Sequence, residues 1–254
     1  MDTAIDRWRE MQQARGIPAE ILARAPVSPW RHDPKHFGAP AVPDDTPSRD
    51  AALALLAEPA ARPTTVLDVG CGGGSASLAV ADRAGRLVGV DHDPGMLEVF
   101  SADCAARGVE HRAVLGEWPS VAEEAGLAEV VACHHVGYNT VEFAPFLVAL
   151  TMAARRGVVM ELTARHPMAW LDPLWARFHG LHRPPPATAE DAADVLRDLG
   201  LAPTVTRWER PARLPEDPEW VARRLCLPVE RAGEVADALA ELPPRPRTAV
   251  TLTW

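Results

Sequence analysis

The run Val66-Leu67-Asp68-Val69-Gly70-Cys71-Gly72-Gly73-Gly74 is the part of the chain best suited to holding a ligand. Glycines at a strand-to-helix junction let the main chain turn tightly, and without a Cβ they let a ligand approach the backbone. Asp91 closes the next β-branched run, 21 residues beyond Gly70. At that spacing a carboxylate at the end of a second strand reaches the ribose hydroxyls of a nucleotide lying across the strand ends.

A second reactive set follows in Cys133-His134-His135-Val136-Gly137-Tyr138-Asn139. Imidazoles titrate near neutrality, so His134 and His135, with the Tyr138 phenol, are candidate catalytic residues, set against packing for one of two adjacent histidines. Asn139 is a candidate substrate contact. Further on, His166, Trp170 and Trp175 are candidates to wall an apolar acceptor pocket, against the more ordinary fate of tryptophan in a core. His179 and His182 stand three apart, but no Cys or carboxylate pair completes a metal site beside them, so no metal is expected.

These residues need a frame. Short β-branched runs at 64–69, 86–91, 111–115, 128–133 and 157–163 alternate with helical patterns at 74–84, from Pro94, and at 142–154. Such alternation predicts βαβ units and a parallel sheet covered on both faces. Leu201–Trp208 and Thr248–Trp254 read as two closing strands, with a helical excursion from Pro218 to Leu242 between them. Thr188–Leu199 is an amphipathic helix with Gly200 placed as its stop. Ahead of the sheet, Ile5, Trp8 and Met11 mark one helix face, and 17–25 suggests a second helix. Pro26–Pro47 is irregular, and Ser48 is read as the N-cap of a helix carrying Leu53, Leu55 and Leu56. The Pro/Arg stretch 243–247 is the one compositionally biased tract.

Composition narrows the function. The 254 residues are 47% apolar and 24% charged, enough to build a core of their own. The balance of 26 Lys+Arg against 35 Asp+Glu gives a net charge of −9, which argues against general nucleic-acid binding. The opening MDTAIDRWRE carries charge where a secretory signal needs an apolar core. No uninterrupted apolar run reaches the ~18 residues of a membrane span, Phe146–Val159 being broken by Arg155-Arg156. Cys71, Cys104, Cys133 and Cys226 are widely spaced and read as reduced thiols. The expectation is a cytoplasmic protein without membrane or nucleic-acid partners, whether monomer or homodimer.

A dinucleotide fingerprint needs its third glycine at position 75, where this chain has Ser75, and Asp68 precedes the glycines by two. Asp-x-Gly-x-Gly-x-Gly instead resembles motif I of the class I S-adenosylmethionine (SAM) dependent methyltransferases. The resemblance runs from about Val66 to Thr163 and more loosely to Trp254. It implies a Rossmann-like three-layer α/β sandwich with a mostly parallel seven-stranded sheet, an N-terminal helical cap or lid over 1–60, and a SAM-binding domain over 61–254. The stretch 165–187 would be a substrate-side insertion, and Trp8, Trp30, His32 and His36 would belong to the cap.

Carried across by position, Asp68 would orient the methionine ammonium, and Gly70, Cys71, Gly72 and Gly74 would form the turn beneath SAM. Asp91 would hold the ribose hydroxyls, with His92 and Met96 beside the adenine. Glu117, standing where the family has Asp, would accept from the adenine amino group, with Trp118 near the ring. Cys133 occupies the position whose carbonyl holds the ammonium. The implied reaction is in-line methyl transfer to a small-molecule acceptor, leaving S-adenosylhomocysteine (SAH); O, N, S and C acceptors stay open. Two alternatives stand beside it: a nicotinamide-dependent oxidoreductase, against which Ser75 and Asp68 count, and a non-catalytic SAM-binding regulatory protein, since the motif reports binding rather than turnover.

Overall fold

Valine- and leucine-rich runs with both faces covered make the centre of a single seven-stranded sheet. A computed structural model describes residues 3–30, 32–57, 63–210, 217–243 and 247–254. The strands are β1 (Thr65–Val69), β2 (Arg86–Asp91), β3 (His111–Leu115), β4 (Ala128–His134), β5 (Ala154–Thr163), β6 (Thr204–Glu209) and β7 (Thr248–Thr253). Their order is β3-β2-β1-β4-β5-β7-β6. All pairings are parallel except those of β7, which runs antiparallel to β5 and β6. The helices are α1 (Ala4–Ala14), α2 (Ala19–Leu22), α3 (Pro47–Leu56), α4 (Ser75–Leu78), α5 (Pro94–Ala106), α6 (Ala122–Ala125), α7 (Phe143–Ala153), α8 (Asp172–His179), α9 (Ala189–Asp198), α10 (Pro218–Arg224) and α11 (Ala232–Ala240). This is the expected mostly parallel three-layer α/β architecture.

Strand side chains alternate between two cores. Val66, Leu87 and Val130 pack with α3 and α5, whereas Leu67, Val69 and Val131 pack with α7 and α9. Asp68 therefore projects on the α3–α5 face, the side on which the cavity lies. Helix α1 docks beside α7 and α9. Its Trp8, 3% exposed, stacks on Phe143 at 4.0 Å between centroids and donates from Nε1 to the Thr140 carbonyl at 2.8 Å. A third apolar cluster joins α8, α10 and α11 with Ile21 of α2.

Several local expectations change. Thr46, not Ser48, caps α3, accepting from the Arg49 N–H at 3.1 Å; Pro47 then fits the first helical turn. Ser48 is buried and shares a 2.7 Å hydrogen bond with Thr251 of β7. The helix read over 74–84 is a single turn at α4, which begins from Gly74 in the left-handed region, and tight turns replace the rest. The helix read over 17–25 shortens to α2, starting after Pro18. Helix α3 contacts β4, β5 and β7, so residues 47–56 form part of the sheet's own outer layer. Residues 244–246 of the Pro/Arg stretch lie outside the described residues.

Trp8→Ala removes a buried aromatic and leaves the Thr140 carbonyl without its donor. It is expected to lower stability by about 3–5 kcal/mol, read as a shift in the urea unfolding midpoint.

Candidate active site

In an open parallel sheet the strand ends diverge where the order reverses, and ligands bind in that crevice. Here the reversal falls between β1 and β4. The crevice is a cavity of about 670 Å³ lined by the glycine turn, the end of β2, the ends of β4 and β5, and an N-terminal strap from Ser28 to Asp44. That volume is within the range of small-molecule sites.

The turn is drawn toward β2 by hydrogen bonds. The Val90 carbonyl accepts from the N–H groups of Gly70 and Cys71 at 2.8 and 3.0 Å, and Asp91 Oδ2 accepts from Gly72 at 2.9 Å. Asp91 Oδ1 accepts from Asp93 at 3.0 Å. Both carboxylate oxygens keep capacity for another donor, and Asp91 lines the cavity. Only glycine suits position 70: φ is +68°, and a Cβ there would lie 2.3 Å from Val136 Cγ2. At Gly73 a Cβ would fall 2.0 Å from the Phe37 carbonyl oxygen, because the strap presses on the turn through a Gly38–Gly73 bridge. The strap is anchored elsewhere too. Asp103 Oδ2 accepts from the Ala39 N–H at 2.8 Å, and Arg224 Nη2 donates to His32 at 2.9 Å.

Asp68 is 1% exposed and accepts from the Ser77 N–H and Oγ at 3.1 and 2.7 Å. Burial pushes its carboxyl up to about 7 against those hydrogen bonds. The glycine turn, Asp91 and this carboxyl present backbone freedom and acceptors to one cavity. That donor set fits a nucleoside carrying a cation better than a pyrophosphate, which needs N–H groups and positive charge.

At the other end, His134, His135, Glu161 and Arg210 line the same cavity. Glu161 Oε1 lies 3.0 Å from His135 Nε2, and Oε2 lies 3.9 Å from His134 Nδ1. Burial alone would raise the Glu161 carboxyl, but the His135 hydrogen bond and the charge of both imidazoles outweigh it and hold it at about 2. His134 is driven by burial down to about 4, the Glu161 charge opposing only in part, and its Nε2 has no hydrogen-bond partner. Burial lifts the Tyr138 phenol to about 12; its oxygen accepts from the Thr163 N–H at 2.6 Å.

The cavity thus brings together Asp68, Gly70, Cys71, Gly72, Asp91, His92, Met96, His134 and His135 from the residues expected at a site, with Trp30 and His32 of the strap. The others do not line it. Gly74 packs on Phe100, and the Cys133 side chain is fully buried in the α7-side core. Glu117 is exposed, and Trp118 packs toward α7, donating to the Phe146 carbonyl at 3.3 Å. Tyr138 meets the site through His135, whose Nδ1 lies 3.2 Å from its hydroxyl. His166 is a satisfied neutral imidazole: Nδ1 accepts from Met168, Nε2 meets Asn139 Oδ1 at 3.2 Å, and burial lowers its pKa to about 4. Trp170 and Trp175 belong to the third apolar cluster, since α8 turns its apolar face to α10 and α11. His179 contacts the Leu225 carbonyl, and no group of three or more metal-ligating side chains occurs among the described residues.

Sequence reasoning missed Glu161 and Arg210. A lone acid inside the buried run Gly157–Thr163 was a usable signal, because an unpaired buried charge is costly. Arg210 offered none.

Comparison with known proteins agrees with this geometry. A family model described as a methyltransferase domain matches residues 66–156. A ubiquinone biosynthesis O-methyltransferase from Leptothrix cholodnii is 30% identical over 149 residues, 54% of this chain; the chain spans 63% of that relative's length. The fold matches the YcgJ protein from Bacillus subtilis at TM-score 0.56 and 17% identity, covering 81% of this chain and 96% of that one. It also matches magnesium protoporphyrin IX methyltransferase from Synechocystis PCC 6803 with bound SAH, at TM-score 0.54 and 16% identity, covering 81% and 80%. At those identities the structural likeness establishes the fold. No helix among the described residues is long and apolar enough to cross a membrane.

His134 generates a pH prediction. Its folded value near 4 lies below the unfolded 6.5, so the unfolded state binds more protons between them. Stability is therefore fully present above about 6.5 and falls as pH drops toward 4. The loss is on the order of 3–4 kcal/mol at about 1.4 kcal/mol per unit, and His134→Phe should flatten that part of a urea-unfolding pH series.

Proposed function

We propose that the chain is a class I, SAM-dependent methyltransferase that transfers a methyl group from SAM to a small-molecule acceptor, a reading supported by the methyltransferase-domain match over residues 66–156. The observation carrying the proposal is Asp91, a carboxylate fixed by Gly72 and Asp93 at the end of β2 and lining a cavity of about 670 Å³. A ubiquinone biosynthesis O-methyltransferase and a magnesium protoporphyrin IX methyltransferase among the similar proteins support a small acceptor.

When bound, SAM supplies a methyl on a sulfonium, already activated for in-line displacement. The chain's own residues then have three tasks. Asp91 accepts from the ribose hydroxyls, with His92 and Met96 beside the base. Asp68 faces the ammonium, and Gly70 and Gly72 leave the backbone open to close approach. The strap, through Trp30, His32 and Phe37, covers the crevice and excludes water, which strengthens each electrostatic contact inside. Aligning donor and acceptor is the larger part of catalysis when the leaving group is already activated.

Isothermal titration with SAH should show binding to the wild type. Asp91→Ala should weaken it about 10- to 100-fold, the share of hydrogen bonds to a charged group. No binding of SAH to the wild type overturns the proposal. Because Asp68 is protonated up to about 7, capture of an ammonium should draw a proton off it. SAM affinity should then rise as pH increases from about 6 to 7.5, with proton release seen in buffers of different ionisation enthalpy, and Asp68→Asn should abolish that dependence.

A further inference from the structure

No expectation from the sequence included Glu161 or Arg210, yet both meet His135 on the cavity wall. His135 Nε2 lies 3.0 Å from Glu161 Oε1 and in hydrogen-bond contact with Arg210 Nη1. The two neighbours suit opposite protonation states. A bare Nε2 accepts from the guanidinium, whereas an Nε2–H donates to the carboxylate. On the other side of the ring, Nδ1 lies 3.2 Å from the Tyr138 hydroxyl, which can donate or accept. Thr163 fixes that hydroxyl through its N–H and Oγ1. The imidazole can therefore gain or lose a proton while each nitrogen keeps a partner.

The backbone gives an independent sign. His135 sits at φ +60°, the left-handed region that Cβ-bearing residues rarely occupy, and its N–H is held by the Glu161 carbonyl at 2.7 Å. Strain of this kind collects where a side chain must be aimed at a function. The charged and polar groups around the pair come from every neighbouring element. They are His134 on β4, Tyr138 after it, Glu161 on β5, Arg210 past β6, and Ser48 of α3, which lines the same cavity.

We propose that this cluster is the acceptor-activating site, and that it takes an acceptor with an acidic hydroxyl of the phenol or enol class. The incoming hydroxyl displaces Arg210 from His135 Nε2. Its O–H bond breaks, the proton forms the Nε2–H bond, and the electron pair stays on oxygen. The new N–H donates to Glu161, and the displaced guanidinium faces the oxyanion. The class follows from the partners. An aliphatic alcohol is too weak an acid for an imidazole, while a phenol, near 10 in the ordinary range, is within reach. An ammonium is repelled by Arg210, and sulfur is the weaker hydrogen-bond acceptor for a guanidinium. His135 would be catalytic, and Glu161 a positioning residue acting through it. The inference rests on the methyl-transfer reading only for the fate of the oxyanion.

The test uses the full chain with SAH present and 4-nitrophenol, 4-nitrocatechol and 4-nitroanisole as probes, read by absorbance at about pH 6. The wild type should bind the phenols in the coloured phenolate form, at least ~10-fold enriched over free solution, and bind the methyl ether at least ~10-fold more weakly. Arg210→Met should lose that discrimination with SAH affinity unchanged. Glu161→Gln should move the phenolate band to higher pH, and His135→Gln should abolish it. Arg210 is partly exposed, so its variant keeps the test valid if the buried Glu161 variant fails to fold. Equal binding of phenol and ether, bound phenols that stay protonated, or no phenol binding while SAH still binds each overturns the inference. Absent SAH binding would instead refute the methyltransferase reading, with the phenolate spectrum still deciding the proton step.

Discussion

The hydrogen bond from the Gly72 N–H to Asp91 ties the turn after β1 to the end of β2, and the rest of the site depends on it. A carboxylate is acceptor-only, so it can gather the otherwise unpaired N–H groups of a tight turn. With Val90 accepting from Gly70 and Cys71, three successive amides of the turn point at β2 rather than at the crevice. A phosphate-binding loop does the reverse, aiming its N–H groups at the ligand. This turn therefore commits the N–H groups of Gly70, Cys71 and Gly72 to β2 and sets two carboxyl groups, Asp68 and Asp91, on the cavity wall. Such a surface suits hydroxyls and cations. The parallel register of β1 with β2 makes the tie possible, since it pairs Val69 with Val90 and so brings Asp91 level with Gly70, where the turn starts.

The second constraint comes from outside the sheet. The strap that covers the cavity has little regular structure, and its anchors include Gly38 on Gly73, Ala39 on Asp103, Arg107 on the Ala39 and Pro40 carbonyls, and His32 on Arg224. Arg224 belongs to α10, whose apolar face is fixed by the cluster around Trp175. The aromatic-rich segment after β5 therefore acts on the site at a distance. It builds the platform that positions the strap, rather than walling the acceptor itself.

How much of this was legible follows from what each signal depends on. Parallel strands buried on both faces read as nearly continuous apolar runs, so β2 had the same bounds in the sequence as in the structure. The glycine turn was legible because positive φ and close approach leave few alternatives to glycine. Side-chain direction was less so. Trp118 sits at a plausible distance along the chain from Asp91, but turns toward α7. Glu161 reaches the histidines because β5 sets it beside His134 on β4, a register that no local pattern encodes. Arg210 arrives only because β6 pairs antiparallel with β7 and returns its end to the cavity. Contacts set by the pairing of distant strands lie beyond a reading along one chain.

Asp68 and Glu161 show why burial alone does not set a charge. Both are nearly inaccessible, and burial pushes both carboxyl groups up. Asp68 is met by Ser77, through two neutral donors, and stays near 7; Glu161 is met by the imidazoles of His135 and His134 and falls to about 2. The two ends of the cavity are thereby different solvents. One offers a carboxyl whose ionisation is incomplete until a cation arrives. The other holds a committed anion whose guanidinium neighbour, Arg210, can turn to an incoming anion while His135 stays beside Glu161. A reaction that consumes positive charge at one point and negative charge at the other, as transfer from a sulfonium to an oxyanion does, needs that asymmetry.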